Sequence, residues 1–218
     1  MVKLLSTEQM AEFANSGCLF FDGLIDNETN KEFLNDIGHT DIENVDNMQK
    51  YFQNIKASSS IPRIPAGTPL KNAYPHKSPL EKIFQNEVVA GAINSLVGSE
   101  AVVDHQFLHL TFPTKYFKKT NQRQMSQVNH QDSTIDPRIT FDIQLFYFPT
   151  DVTKEMGGTR YHPGTHLRIV NEMGIAKYQN IKGQKNIVCK AGTIGIFHNG
   201  LWHGAGVNFS DEIRYMFK

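Results

Sequence analysis

The apolar residues of this chain change their spacing near residue 101, and that change limits the fold more than any other feature. Downstream, short runs rich in β-branched and aromatic residues alternate with polar ones at period two, over 101–112, 125–132, 139–149, 157–162, 185–189, 193–198, 201–206 and 213–217. Such alternation buries one face of a strand against a second layer, so a series of short strands predicts a sandwich or barrel. The turns between them, Gly157-Gly158, Pro163-Gly164, Ala191-Gly192 and Asn208 to Asp211, suit an antiparallel double-sheet jelly roll, because no helix-length crossovers intervene.

Upstream, the pattern predicts helices and loops around one early strand. Ser6-Thr7-Glu8-Gln9 has the spacing of a capping box and opens a helix that ends near Gly17. Cys18 to Ile25 reads as a strand and 27–37 as a helix. Ser78-Pro79-Leu80-Glu81 joins an N-cap, a proline at the first helical position and a capping glutamate, with helices following over 79–85 and 87–97. Ser58 to Lys77, rich in Ser, Pro and Gly, is too polar for a core element and long for a connection, as lids often are. The expected architecture is mainly β and a single domain over 1–218, with a helical part up to residue 100 packed on a jelly-roll core over 101–218.

Composition bounds the partners. With 22 basic and 22 acidic side chains the formal net charge is zero, so no global field draws the chain to nucleic acid or anionic lipid, and a small-molecule partner becomes the default. Hydrophobic residues at 39% and charged residues at 20% exclude a disordered chain. No apolar run approaches the roughly twenty residues of a membrane span, and Met1 to Leu5 does not read as a signal peptide. Cys18 and Cys189 lie far apart between apolar neighbours and read as buried thiols in a reducing compartment. The expectation is a soluble, cytoplasmic protein.

Side chains at i and i+2 of a strand share a face, so His130 and Asp132 can present an imidazole and a carboxylate to one ion. Alone this signal is weak: with 9 His and 11 Asp in 218 residues, about one such pair in every two chains arises by chance. His39-Thr40-Asp41 has the same spacing but follows a helix in a Gly-, Asn- and Asp-rich stretch and reads as a solvated turn. His203, within Gly200-Leu201-Trp202-His203-Gly204-Ala205-Gly206, would complete a facial set that leaves three positions open on an octahedral iron(II). Arg214 follows His203 by eleven residues, and a hairpin turning through Asn208 and Ser210 would set the two side by side. A guanidinium facing the same barrel mouth needs an anion, and its planar fork matches a dicarboxylate held by the metal at its other end. The competing reading of Arg214 is an ordinary pairing with Asp211 or Glu212.

These residues resemble the phytanoyl-CoA dioxygenase family over nearly the whole chain. The resemblance is carried by the Leu5 to Gly17 opening, by His130-Gln131-Asp132, by Gly157-Gly158 leading to Pro163-Gly164-Thr165-His166, and by His203-Gly204-Ala205-Gly206 with Arg214. It implies a double-stranded β-helix of the cupin-like kind, His130, Asp132 and His203 as iron(II) ligands, and Arg214 as the clamp for the distal carboxylate of 2-oxoglutarate. It further implies hydroxylation by dioxygen, coupled to decarboxylation of 2-oxoglutarate to succinate. The family often has Ser where this chain has Ala205, so His109 and Thr111 become candidates to replace that co-substrate contact. Gln144, Phe146 and Phe148 share a strand face and are candidates for the floor of the co-substrate pocket, although an aromatic stripe of period two also suits plain core. Asp132 argues against a halogenase, which has a small residue there.

For the substrate, Arg160 stands where apolar residues are expected and becomes a candidate to bind a carboxylate or phosphate. Lys115, Lys118, Lys119 and Arg123 form a basic stretch that suits either steering of an anion or a solvated loop. His166 reads as a structural turn histidine, His198 as the competitor for third ligand, His105 and His162 as strand histidines and His76 as a loop one. Two other functions remain open: a non-catalytic jelly-roll binding module with structural or zinc-holding histidines, and a cupin-like metal enzyme without 2-oxoglutarate. Asp132 and Arg214 speak against the first, and Arg214 would be idle in the second.

Overall fold

A computed structural model describes residues 2–56, 58, 61–122, 124–132, 141–168, 172–178 and 180–218. The first helix, α1 (Thr7–Ser16), begins with the predicted capping box: Gln9 N donates to Ser6 Oγ at 3.2 Å, and Ser6 N donates to Gln9 Oε1 at 3.0 Å. It stops at Gly17, where φ is +77° and an added Cβ would lie 2.5 Å from the His166 ring. Strand β1 (Cys18–Phe21) and helix α2 (Asn27–Asp36) follow, the latter capped by Asp26, which accepts from Thr29 N at 2.8 Å. Helices α4 (Pro79–Gln85) and α5 (Glu87–Val97) have the predicted bounds, since Ser78 and Asn86 accept from the first free N–H groups of each.

Between them the structure differs from expectation. A helix, α3 (Met48–Lys56), has its first N–H held by Tyr116 Oη at 2.8 Å, a tertiary cap that no local pattern announces. The stretch expected as one long loop contains a short strand, β2 (Thr68–Pro69), paired with β3 (Val102–Val103). The predicted strand 101–112 is therefore two pieces, β3 and β4 (Leu108–Thr111). Then come α6 (Thr114–Lys119), β5 (Gln127–His130), β6 (Ile143–Phe148), β7 (Thr159–Tyr161), α7 (Glu172–Ala176), β8 (Lys185–Asn186), β9 (Thr193–His198), β10 (His203–Ala205) and β11 (Arg214–Phe217). The basic stretch is thus partly helical: Lys115 pairs with Glu43 at 2.8 Å and Asp211 at 3.1 Å, Lys118 and Lys119 are exposed, and Arg123 lies outside the described residues.

The strands form two antiparallel sheets, one ordered β1-β9-β6-β11-β4 and the other β5-β10-β7-β8. The alternation of β6 explains how they stack. Phe146 and Phe148 face the space between the sheets, where they meet Phe197, Leu201 and Met216. Tyr147 faces the other way, into the helical layer, with its ring 5.2 Å from Phe33 and its hydroxyl donating to Asn30 at 2.7 Å. Burying each such aromatic ring contributes roughly 1.5–3 kcal/mol, so one strand ties helices and second sheet together. Both cysteines are free thiols, Cys18 buried and Cys189 half-buried, as expected. No helix among the described residues is long and apolar enough to cross a membrane.

The link between β10 and β11 corrects one expectation. They are not a hairpin; β10 belongs to the smaller sheet and β11 to the larger. The segment between them crosses the barrel, anchored by the buried Asn208, which donates to Thr111 O at 2.9 Å and Glu212 O at 2.8 Å.

Candidate metal centre and co-substrate cavity

Antiparallel pairing of β5 with β10 puts His130 directly opposite His203, and the two rings lie 4.3 Å apart between centroids. Asp132, two residues beyond His130, closes the triangle: its Oδ1 is 3.1 Å from His130 Nε2 and its Oδ2 3.5 Å from His203 Nε2. The three ligand atoms lie within 4.8 Å of one another. Each histidine uses its other nitrogen on its own backbone, His130 Nδ1 on Val128 O and His203 Nδ1 on Leu201 O, both at 2.9 Å. Donation from Nδ1 leaves the Nε2 lone pair free and aimed at the centre, the tautomer a metal requires. Gln131, between the ligands, points the opposite way and donates to Arg168 O at 2.8 Å and Gly200 O at 2.7 Å, which pins the segment beyond β5.

Burial opposes charge on Asp132, but its contacts with His130, His203 and the Lys218 ammonium outweigh it and hold the carboxyl well below the usual carboxylate range. The group is therefore an anion ready to ligate. Two imidazoles and one carboxylate, with no fourth member of the cluster among the described residues, fit an iron(II) site with open positions. Lys218 Nζ contacts Asp132 Oδ2.

Arg214 reaches the interior by a separate route. In register with Thr111 across β11 and β4, it donates through Nη2 to Thr111 Oγ1 at 2.7 Å and through Nη1 to the carbonyls of Gly157 and Met156. Gly157 is required there: its φ is +60°, and a Cβ would fall 2.1 Å from Val207 O. Arg214 is 4% exposed, and no carboxylate of the described residues pairs with it; burial pulls its pKa down to about 10. The expected alternative partners, Asp211 and Glu212, are not its partners.

Two cavities join these groups. One of about 260 Å3 is lined by the cluster, and one of about 240 Å3 by Arg214, Thr111 and Ala205; His109, Gln127, Thr159 and Met216 wall both. His109 Nε2 is buried in this lane without a hydrogen-bond partner, and burial, with the Lys218 charge, pulls its pKa to about 4, so the ring is neutral. Thr111 and His109 thus stand beside Ala205, where a hydroxyl is missing. The donors, the neutral imidazole and the unpaired cation at the far end together fit a dicarboxylate.

Other predicted residues lie elsewhere. Gln144 is on the same strand face as Phe146, but only Phe146 lines the cluster cavity; Gln144 donates to Asn199 Oδ1 at 2.6 Å and borders a third cavity of about 310 Å3 away from Arg214. Arg160 is opposite Gly204, one residue out of phase with His203 and Tyr161, so it faces away from the cluster, buried on the other side of the sheet, and donates to Gln127 O at 2.5 Å. His198 accepts from Gly200 N at 3.0 Å and lies with its ring tilted against that of His166, outside the cluster. His166 bonds Ala14 O at 3.0 Å in the predicted structural role. The His39 turn is exposed, with its ring against Tyr215. Sequence reasoning missed Lys218, Gln127, Thr159 and the anchoring role of Gln131. The signal for Lys218 is period two: it shares a face with Arg214 and Met216.

Known proteins can now be compared. The family model for phytanoyl-CoA dioxygenase (PhyH) matches residues 13–216. The chain belongs to this family. It is accordingly an oxygenase of the non-haem iron kind, working with iron(II), 2-oxoglutarate and dioxygen. No curated protein matches the chain. Among solved structures, the non-haem alpha-ketoglutarate-dependent carbocyclase SnoK from nogalamycin biosynthesis is similar with TM-score 0.63 and 16% identity, over 98% of this chain and 82% of that one. HygX from Streptomyces hygroscopicus, with nickel and 2-oxoglutarate bound, gives TM-score 0.61 and 13% identity over 99% and 86%. The epimerase SnoN, also alpha-ketoglutarate dependent and from nogalamycin biosynthesis, gives 0.60 and 17% over 95% and 78%. At these identities the likeness is one of fold: the family's jelly roll with helices packed on one sheet.

Proposed function

We propose that His130, Asp132 and His203 hold iron(II), that Arg214 binds the distal carboxylate of 2-oxoglutarate, and that the protein hydroxylates a small-molecule substrate. The observation that carries this reading is the buried guanidinium of Arg214, paired with no carboxylate of the described residues, at the end of a lane that begins at the cluster. A cation so buried is costly unless its site is built for a charged guest.

When bound, iron(II) with 2-oxoglutarate supplies the activation of dioxygen, with the co-substrate becoming succinate and carbon dioxide and the second oxygen atom going to the substrate. The chain supplies position and exclusion of water. Carbonyls of Val128 and Leu201 fix the histidine tautomers, and Gln131 fixes Asp132. Thr111 and the Gly157 carbonyl orient the guanidinium fork, so the co-substrate enters a prepared geometry. Neutral His109, which walls both cavities, would offer its buried Nε2 to a bound co-substrate without adding charge. Phe146 and Met216 keep the cavity apolar beside the cluster.

The test is succinate formation from 2-oxoglutarate under air with iron(II). The native protein should release it, faster in the presence of a substrate, and His203→Ala should not. Release that survives in His203→Ala would remove the cluster from the reaction. Carbocyclase and epimerase are the printed activities of SnoK and SnoN; a product heavier by one oxygen atom distinguishes hydroxylation from either.

A further inference from the structure

Of the positively charged side chains first suspected of meeting a substrate, Arg160 faces away from the cluster and Lys115 is engaged by Glu43 and Asp211. Lys218 takes their place. Among the described residues it is the one Lys or Arg that lines the cluster cavity, and its side chain is only 12% exposed. Alternation along β11 dictates this: Arg214, Met216 and Lys218 all face inward, the first to the co-substrate end and the last to the cluster. With His105, Lys218 also walls the adjoining 310 Å3 cavity, so it stands at the border between the two.

The ammonium pairs with Asp132 Oδ2, the same oxygen that faces His203. A divalent cation held by the three ligands would engage that carboxylate and would repel the ammonium in a poorly screened site. The charge count then becomes unequal. Iron(II), Arg214 and Lys218 carry one positive charge more than Asp132 and the two carboxylates of 2-oxoglutarate neutralise, and the excess sits at Lys218 beside the open metal positions. A nearly buried ammonium needs an anionic partner.

We propose that Lys218 selects the substrate, pairing with the carboxylate or phosphate of an organic anion bound beside the cluster. The inference rests on the cluster holding iron(II) and 2-oxoglutarate as read above. An ammonium is a point charge that accepts either anion, so the substrate class is set by charge.

The experiment loads the protein anaerobically with iron(II) and 2-oxoglutarate and follows the visible absorption band of the chelate. Formation of that band in the native protein tests the underlying reading on its own, before any probe is added. Linear carboxylates and alkyl phosphates of four to eight carbons, and the matching primary amides, are then titrated in. In the native protein the anions should perturb the band at concentrations at least tenfold below the amides, and in Lys218→Met this preference should fall within threefold while the band itself remains. Lys218→Arg should keep the preference. Carboxylates acting alone, phosphates acting alone or both acting identify the anion and support the proposal. An equal response to anions and amides, no response to either, or a preference that persists in Lys218→Met overturns it. So does a Lys218→Met protein that has lost iron or 2-oxoglutarate binding, which would make Lys218 a support for Asp132 or for the co-substrate.

Discussion

Replacing Arg214 with Met separates the cost of a buried charge from its use. In the native fold the guanidinium is pulled to about 10 by burial, a displacement that corresponds to roughly 3 kcal/mol against the charged form. A methionine of similar length relieves that cost at neutral pH. It also strips the Thr111 hydroxyl of a partner, worth roughly 1–3 kcal/mol when left buried and unsatisfied, and removes one of two donors from the Gly157 carbonyl, which keeps Gly206 N at 3.0 Å. The two effects oppose one another at similar size. Since about 1 kcal/mol moves the midpoint of a chain this long by some 2–4 °C, the Tm of the co-substrate-free protein should shift by no more than about 5 °C. Binding of 2-oxoglutarate has no such compensation. Removing one partner of a buried charge pair costs about 3–5 kcal/mol, so affinity should fall by roughly 10²–10⁴-fold, with metal affinity unchanged. Anaerobic calorimetric titration of 2-oxoglutarate into metal-loaded protein measures this. An affinity within threefold of native, in a folded and metal-loaded Arg214→Met, would refute the assignment of the clamp.

Gln131→Ala should weaken metal binding by about 10–100-fold, as loss of an outer support does, with the fold retained by circular dichroism; unchanged metal affinity would show that Asp132 positions itself. His198 is held neutral by burial, with its pKa pulled to about 4. The unfolded chain takes up this proton first as pH falls, so stability is intact above about pH 6.5 and is lost progressively down toward 4. His198→Asn, which keeps an acceptor for Gly200 N, should therefore show a smaller fall in Tm between pH 7 and 5 than the native protein, and an equal fall would contradict this origin. Arg160→Ala should leave metal and 2-oxoglutarate affinities within threefold of native, because its side chain faces away from the cluster; a selective loss of anionic substrates in this variant would return Arg160 to the site.

Local signals were legible where chemistry is local. The capping residues Ser6 and Ser78 dictate helix starts in the sequence itself, and the structure repeats those bounds. The cluster was legible because period two puts His130 and Asp132 on one face, whatever the rest of the sheet does. What escaped depends on partners distant in sequence. Helix α3 is capped by the hydroxyl of Tyr116, 68 residues away. The eleven-residue spacing from His203 to Arg214 suits a hairpin as well as a crossing between sheets, and only the burial of Asn208 against Thr111 and Glu212 decides for the crossing. Arg160 lies one residue out of phase with His203 and Tyr161, and one residue is enough to turn a strand side chain to the opposite face. Lys218 carries no motif of its own, and only its alternation with Arg214 and Met216 places it inside.

The most direct measurement is the visible spectrum of the anaerobic protein as iron(II) and then 2-oxoglutarate are added. The account predicts a weak charge-transfer band that needs both additions, saturates at one iron per chain, and is absent from His130→Ala and Asp132→Ala. A spectrum that stays flat in the native protein, or a band that forms equally in both variants, would contradict the claim that these three side chains and Arg214 make one site.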